Sequence, residues 1–197
     1  MMITKFKIFE SHENYIMLNY VGENNVEEFK NNLHLFKHYE MDTEEWFNID
    51  YIILQMIYYD RINLFKILFD YDKSFIDYKT EGNLHIFYKI ISSCATKTFN
   101  YYLDNNLIDI NMQNDDGDTP LIFCAYKLEY NKNTNIYIKY IEKLIDCDAD
   151  WDIKNYDDKM TFVEKLEKTG YLELLKIKFP NQYKKYLMSK KANEFNL

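Results

Sequence analysis

The sequence predicts an all-α solenoid of about five stacked helix pairs, with short connecting turns and little or no sheet. Three observations lead there. Four glycines and two prolines in 197 residues leave helices with few breakers, so each glycine punctuates something. Apolar residues recur at helical spacing in short blocks separated by polar turns. The blocks also superimpose on one another at offsets of 35, 36 and 41 residues.

Composition narrows the class further. An apolar fraction of 47% is enough for a core, and the length suits one domain or one short repeat array. A net charge of -8 and a pI near 5.1 disfavour nucleic acid or an anionic membrane as main ligand, and favour a partner with a basic surface. Three widely spaced cysteines point to reduced thiols and a cytoplasmic setting. The opening residues lack a signal-peptide core, and the densest apolar run, 51–59, is interrupted by Gln55 and too short to span a membrane.

The first helix pair lies within 11–36. Gly22 is its expected break, and Val26, Phe29 and Leu33 form the apolar face of the second helix, with Glu27, Glu28 and Lys30 outside. Residues 1–10 read as a cap or a frayed end. The second pair is 47–59 and 62–69, broken at Asp60-Arg61. It aligns with the first at an offset of 36, placing Ile62 on Val26, Phe65 on Phe29 and Lys66 on Lys30. A turn at Thr80-Glu81-Gly82-Asn83 then opens helices expected over 84–92 and 96–103, with Asn105-Asn106 as the stop.

The clearest unit follows: Asp109-Ile-Asn-Met-Gln-Asn-Asp-Asp-Gly-Asp-Thr-Pro-Leu-Ile-Phe-Cys-Ala125. Asp115-Asp116-Gly117 supplies a tight turn in which glycine takes a positive φ. Thr119 sits at the N-cap and Pro120 at the first helical position. The helix continues to 128, an asparagine-rich loop is expected over 129–135, and 136–145 is the second helix, with Ile138, Ile141, Leu144 and Ile145 at core spacing. From Asp109 to the matching Asp150 is 41 residues, which implies an insertion of about eight between the helices. The last unit places Asp158 at the glycine position, Thr161 at the proline and Phe162 at the leucine. Gly170 breaks its helices and Pro180 ends them; 183–188 reads as a final helical turn and 189–197 as a mobile tail.

The 109–125 segment resembles the ankyrin repeat, whose signature contains T-P-L-H-x-A near a 33-residue period, with Ile122 where the family has histidine. The resemblance covers most of 11–179, strongest over 109–125 and 136–178. It implies units at about 11–40, 41–75, 76–108, 109–148 and 149–179, with a cap at 180–188, in one domain over 1–188. It further implies protein recognition without catalysis, through a concave surface made of the turns and first helices.

The remaining chemistry is sparse. His34 and His38 share a helical face, but Leu35 stands where a zinc protease needs glutamate. Cys94, Cys124 and Cys147 lack paired metal spacing, and Cys124 occupies a packing position. A calcium loop from Asp109 would need glycine at Asn114 and glutamate at Pro120. No glycine-rich phosphate loop or nucleophile elbow is present. No catalytic, metal or cofactor residue is therefore assigned. What remains is an acidic surface with aromatic residues interleaved: Asp115, Asp116 and Asp118 at one turn, and Asp150, Trp151, Asp152, Tyr156, Asp157 and Asp158 at the next. Turns favour aspartate for local hydrogen bonds, and Trp151 could simply pack between turns. Crowded like charge nonetheless favours a basic protein partner. A neutralising protein that occludes a toxin or host enzyme, such as a toxin-immunity protein or a viral or phage inhibitor, is the alternative. Lys184, Lys185, Lys190 and Lys191 read as a solvated basic tail.

Overall fold

The computed structural model describes residues 12–37, 49–80, 82–130 and 132–195. The chain divides into two compact units, 1–108 and 109–197. His38, Glu81, the 1–10 segment and the start of the helix expected at 47 lie outside the described residues.

The first unit holds α1 (His12–Glu23), α2 (Val26–Asn31), α3 (Ile49–Tyr58), α4 (Ile62–Tyr71), α5 (Ile86–Ser92) and α6 (Thr96–Asp104). Helix α3 packs on both α1 and α5, while α4 packs on both α2 and α6, so first helices stack on first helices and second on second. The core is largely aromatic. Phe87 stacks on Phe99 at 5.4 Å between centroids, and Tyr102 meets Phe69 edge-on at 5.6 Å. Tyr102 is fully buried, so its hydroxyl donates to the Ile76 carbonyl at 3.2 Å, and burial raises its pKa well above the ordinary tyrosine value. Two-residue strands β1 (Lys79–Thr80) and β2 (Leu84–His85) pair antiparallel around the turn predicted at 80–83.

The second unit holds α7 (Pro120–Tyr130), α8 (Thr134–Asp146), α9 (Phe162–Lys168), α10 (Leu172–Lys178) and α11 (Pro180–Phe195). Helix α7 packs on α8 and α9, α9 on α10, and α10 on α11. The described residues thus form five helix pairs followed by one further helix, an all-α architecture with only the β1–β2 ladder as sheet.

Helix ends explain the periodicity. Asn24, Asp60, Cys94 and Gly170 end the first helices of four pairs, each with φ between 50° and 80°. In each case the next residue donates its N–H five residues back, as Asn25 does to Tyr20 and Arg61 to Met56, closing the orphan carbonyls of the last turn. Asn106 and Asp148 do the same after second helices, so the predicted stop at Asn106 is real. Gly22 is not a break: it lies inside α1, and Asn24 takes the left-handed position. Asparagine tolerates that conformation nearly as well as glycine, which hid the break from a search for glycines.

Four further expectations are corrected. His85 rather than Leu84 starts α5: its Nδ1 accepts from the Phe87 N–H at 3.1 Å. The eight-residue insertion forms no long loop, because α7 and α8, at 11 and 13 residues, are each four longer than α5 and α6 at 7 and 9. On α8 the buried stripe is Tyr137, Tyr140, Ile141 and Leu144, with Ile138 and Ile145 only half-buried. Finally, the helix expected as one turn over 183–188 runs for 16 residues, with Pro180 at its first position.

Candidate functional site

The acidic turns are built by side-chain amides. In the first, the Asn114 Oδ1 accepts from the backbone N–H groups of Asp116 (3.1 Å) and Asp118 (2.8 Å), folding the tip back on itself. Gly117 follows with φ of +77°. Thr119 caps α7, its Oγ1 accepting from the Ile122 N–H at 3.3 Å.

In the second turn the Asn155 Oδ1 accepts from Met160 N–H, and its backbone N–H donates to the Met160 carbonyl. In the first turn the matching backbone bond runs from Asn114 to Asp118, so the second loop is one residue longer. That insertion moves the left-handed residue to Lys159 (φ 56°), not Asp158, and makes Thr161 the counterpart of Thr119, not of Pro120. Thr161 forms a full capping box with Glu164 at the start of α9.

The two turns contact each other directly. The Tyr156 N–H donates to the Asp116 carbonyl at 2.9 Å. The Gln113 Nε2 donates to the carbonyls of Gly117 (2.6 Å) and Lys154 (3.0 Å), while its Oε1 accepts from the Tyr156 hydroxyl at 3.2 Å. The Asn111 Oδ1 accepts from the Asp150 N–H at 2.8 Å. A Cβ on Gly117 would sit 2.4 Å from Tyr156 backbone nitrogen and ring carbon, so glycine is required there twice over, by φ and by this approach.

The nine predicted residues divide by this geometry. Asp115, Asp116, Asp150, Asp152, Tyr156 and Asp157 are exposed. Asp118 is not part of the exposed tip: it is 8% exposed, and its Oδ1 accepts from the Asn155 Nδ2 at 3.0 Å. Burial raises its pKa, with the Asn155 hydrogen bond and Lys165 opposing. Trp151 packs edge-on to Phe162 (5.5 Å) and Phe179 (5.8 Å), so it joins repeats instead of standing at the tip. Asp158 faces inward toward Lys168 (3.0 Å) and Lys165 (3.5 Å). Burial pushes its carboxyl up, but Lys168, the Asn155 amide and Lys165 outweigh this and hold it at about 2.

Sequence reasoning missed the amides Asn111, Gln113, Asn114 and Asn155, which lock the turns. Their signal was there in the 41-residue spacing of Asn114 and Asn155. It also missed an aromatic pair on α7, Tyr126 and Tyr130, both exposed with rings 4.9 Å apart and Lys165 over the Tyr126 ring at 5.2 Å. The predicted basic tail is engaged as well: Lys185 lies 3.8 Å from Asp152 and Lys190 2.6 Å from Glu167. Cys124 is buried, as a packing residue should be. Among the described residues no cluster of histidine, cysteine or carboxylate groups has metal-binding geometry, and no helix is long and apolar enough to cross a membrane.

Hairpin-like turns, paired helices and capped starts at this spacing define an ankyrin-type repeat. The family described as ankyrin repeats (many copies) matches residues 84–131 of the chain. Two of the solved structures that share the fold are ankyrin repeat proteins. The ankyrin repeat protein EF0377 is 16% identical, with a TM-score of 0.52, over 85% of this chain and 98% of that one. The ankyrin repeat domain of Bcl-3, a member of the IkappaB protein family, is 12% identical, with a TM-score of 0.56, over 82% of this chain and 83% of its own. At these identities the likeness is one of fold. No curated protein is similar to the chain in sequence.

Proposed function

We propose that this protein is a non-catalytic protein-interaction module whose rigid double turn at 113–118 and 150–158 grips a basic protein partner. One observation carries the reading. The two turns are bonded to each other through Tyr156, Gln113 and Asn111, and this single element presents Asp115, Asp116, Asp150, Asp152 and Asp157 to solvent. Preorganised charge lowers the ordering cost of binding and steers a basic surface toward it. Three widely spaced cysteines, Cys94, Cys124 and Cys147, suit a reducing, cytoplasmic setting.

The test is affinity purification with the intact chain and with a variant carrying Asp115→Lys, Asp116→Lys and Asp157→Lys. The expected outcome is a partner of basic pI that the variant loses and that added salt releases from the wild type. A partner retained by the variant at equal yield refutes the reading.

A further inference from the structure

We propose that α11 is a built-in stand-in for the partner: a basic, tyrosine-bearing helix seated on Asp152 and Glu167, which an incoming basic helical segment displaces. The inference rests on the reading above that the acidic face of this unit binds a basic protein, and it names the shape of the segment that binds.

The seating of α11 is unusual for a packed helix. Of its residues up to Ala192, none is buried, and only Tyr183 and Tyr186 are even half-buried. Leu187 and Met188 are 37% and 64% exposed, so the helix does not put its apolar residues against the repeat. It presents tyrosine and lysine there instead. The Tyr186 hydroxyl donates to the Glu167 Oε2 at 2.7 Å, and the Lys190 ammonium pairs with the other oxygen, Oε1, at 2.6 Å. Tyr186 and Lys190 are four residues apart on one helical face, so the two side chains clamp a single carboxylate. Immediately before Tyr186, Lys185 approaches Asp152 at 3.8 Å. The pairing holds Glu167 below the usual carboxylate range, the Lys190 hydrogen bond being the largest cause, and the same bond raises Lys190.

This contact selects by charge and is weakly held. Exposed ion pairs are weak and fade with salt. A helix of this length is marginal alone in water. Among the described side chains of α11 only Tyr183 and Tyr186 are half-buried, too little hydrophobic burial to make the helix a permanent cap. Glu167 and Asp152 are therefore occupied yet accessible to a stronger competitor: a helical segment with tyrosine four residues before lysine and a further lysine immediately before the tyrosine.

The test uses the full chain and a synthetic peptide of residues 180–195 as probe. In a variant with Lys185→Glu, Tyr186→Phe and Lys190→Glu, α11 can no longer hold its own site. The peptide added in trans is expected to bind this variant about tenfold tighter than it binds the wild type. Circular dichroism checks that the variant's remaining helices are intact. Independently, amide exchange across 183–195 in the wild-type chain should speed up between about 0.05 and 0.5 M salt, while α7 and α8 do not change. Equal peptide affinity for both chains, or exchange in α11 indifferent to salt, overturns the proposal. The outcome is separable from the module reading. Tip charge reversal that abolishes partner binding, together with an unchanged peptide affinity, refutes only the role of α11. Tight peptide binding with a tip-insensitive partner refutes only the double-turn reading.

Discussion

The joints between repeats are made differently in the two units. In the first, two adjacent charged residues reach in opposite directions along the chain. The Asp60 carboxylate accepts from the Lys97 and Thr98 N–H groups (2.8 and 2.9 Å) and from the Thr98 hydroxyl, capping α6, whose own N-cap residue Ala95 offers no side-chain acceptor. The Arg61 guanidinium donates to the carbonyls of Val21 and Gly22, closing the last turn of α1. Each charge is placed against the helix end whose partial charge it complements. In the second unit the joint lies at the hairpin tips and is made of side-chain amides and backbone, through Asn111, Gln113, Asn155 and Tyr156, with the buried Asp118 carboxylate as one acceptor. The lesson is about where charge stays exposed. Charge at the Asp60–Arg61 joint is consumed by folding, whereas the amide joint leaves most neighbouring aspartates exposed.

Four substitutions test that contrast. Gly117→Val should be the most damaging, at about 3 kcal/mol or more, because strain at positive φ adds to a clash with Tyr156. Gly82→Ala is the control: φ is +86° but nothing lies within 4 Å, so only the backbone cost of about 1 kcal/mol is expected. Urea denaturation of both variants measures the difference, and equal losses would show that the Tyr156 approach is unimportant.

Asp60→Ala should cost about 1–3 kcal/mol by stripping three hydrogen bonds from the start of α6. Added salt should weaken the wild type more than this variant, since the lost contact is charge-assisted; parallel salt curves would remove Asp60 from the joint. Thr161→Ala breaks the capping box of α9 for about 1 kcal/mol, read by thermal unfolding.

The smallest effect is a pH dependence at His85. Burial lowers its pKa, with the Asp77 carboxylate opposing, and its unprotonated Nδ1 is the cap acceptor of α5. A lowered folded pKa means the unfolded chain binds the proton more readily. His85 therefore contributes stability that is present above the ordinary histidine value of 6.5 and lost as pH falls below it. His85→Asn keeps an acceptor at the cap and should flatten the stability profile in that window. An unchanged profile would show that His85 does not titrate with unfolding.

Much of the fold was legible because helix starts and stops are local. Thr119-Pro120, Gly170 and Asn106 each carry their conformation within a few residues, and each stands where the pattern placed it. Where legibility failed, the cause was also local but ambiguous. Asn24 does the work expected of Gly22, and one extra residue in the second turn shifts its register by a single step. The buried tyrosines Tyr88, Tyr102, Tyr137 and Tyr140 were invisible because tyrosine is as common on surfaces as in cores, and only a partner for the hydroxyl separates the cases.

The acidic stretch shows the division most clearly. By itself the sequence determined that the chain turns at Asp115–Gly117, that a helix starts at Thr119, and that carboxylates crowd the following turn. Which of those carboxylates face solvent was decided only by tertiary structure. Asp118 is buried by Asn155, 37 residues away, and Asp158 is turned inward by Lys165 and Lys168. Asp152 is met by a lysine of α11. Backbone conformation follows from neighbours in the chain, but the exposure of a charge follows from what folding brings beside it.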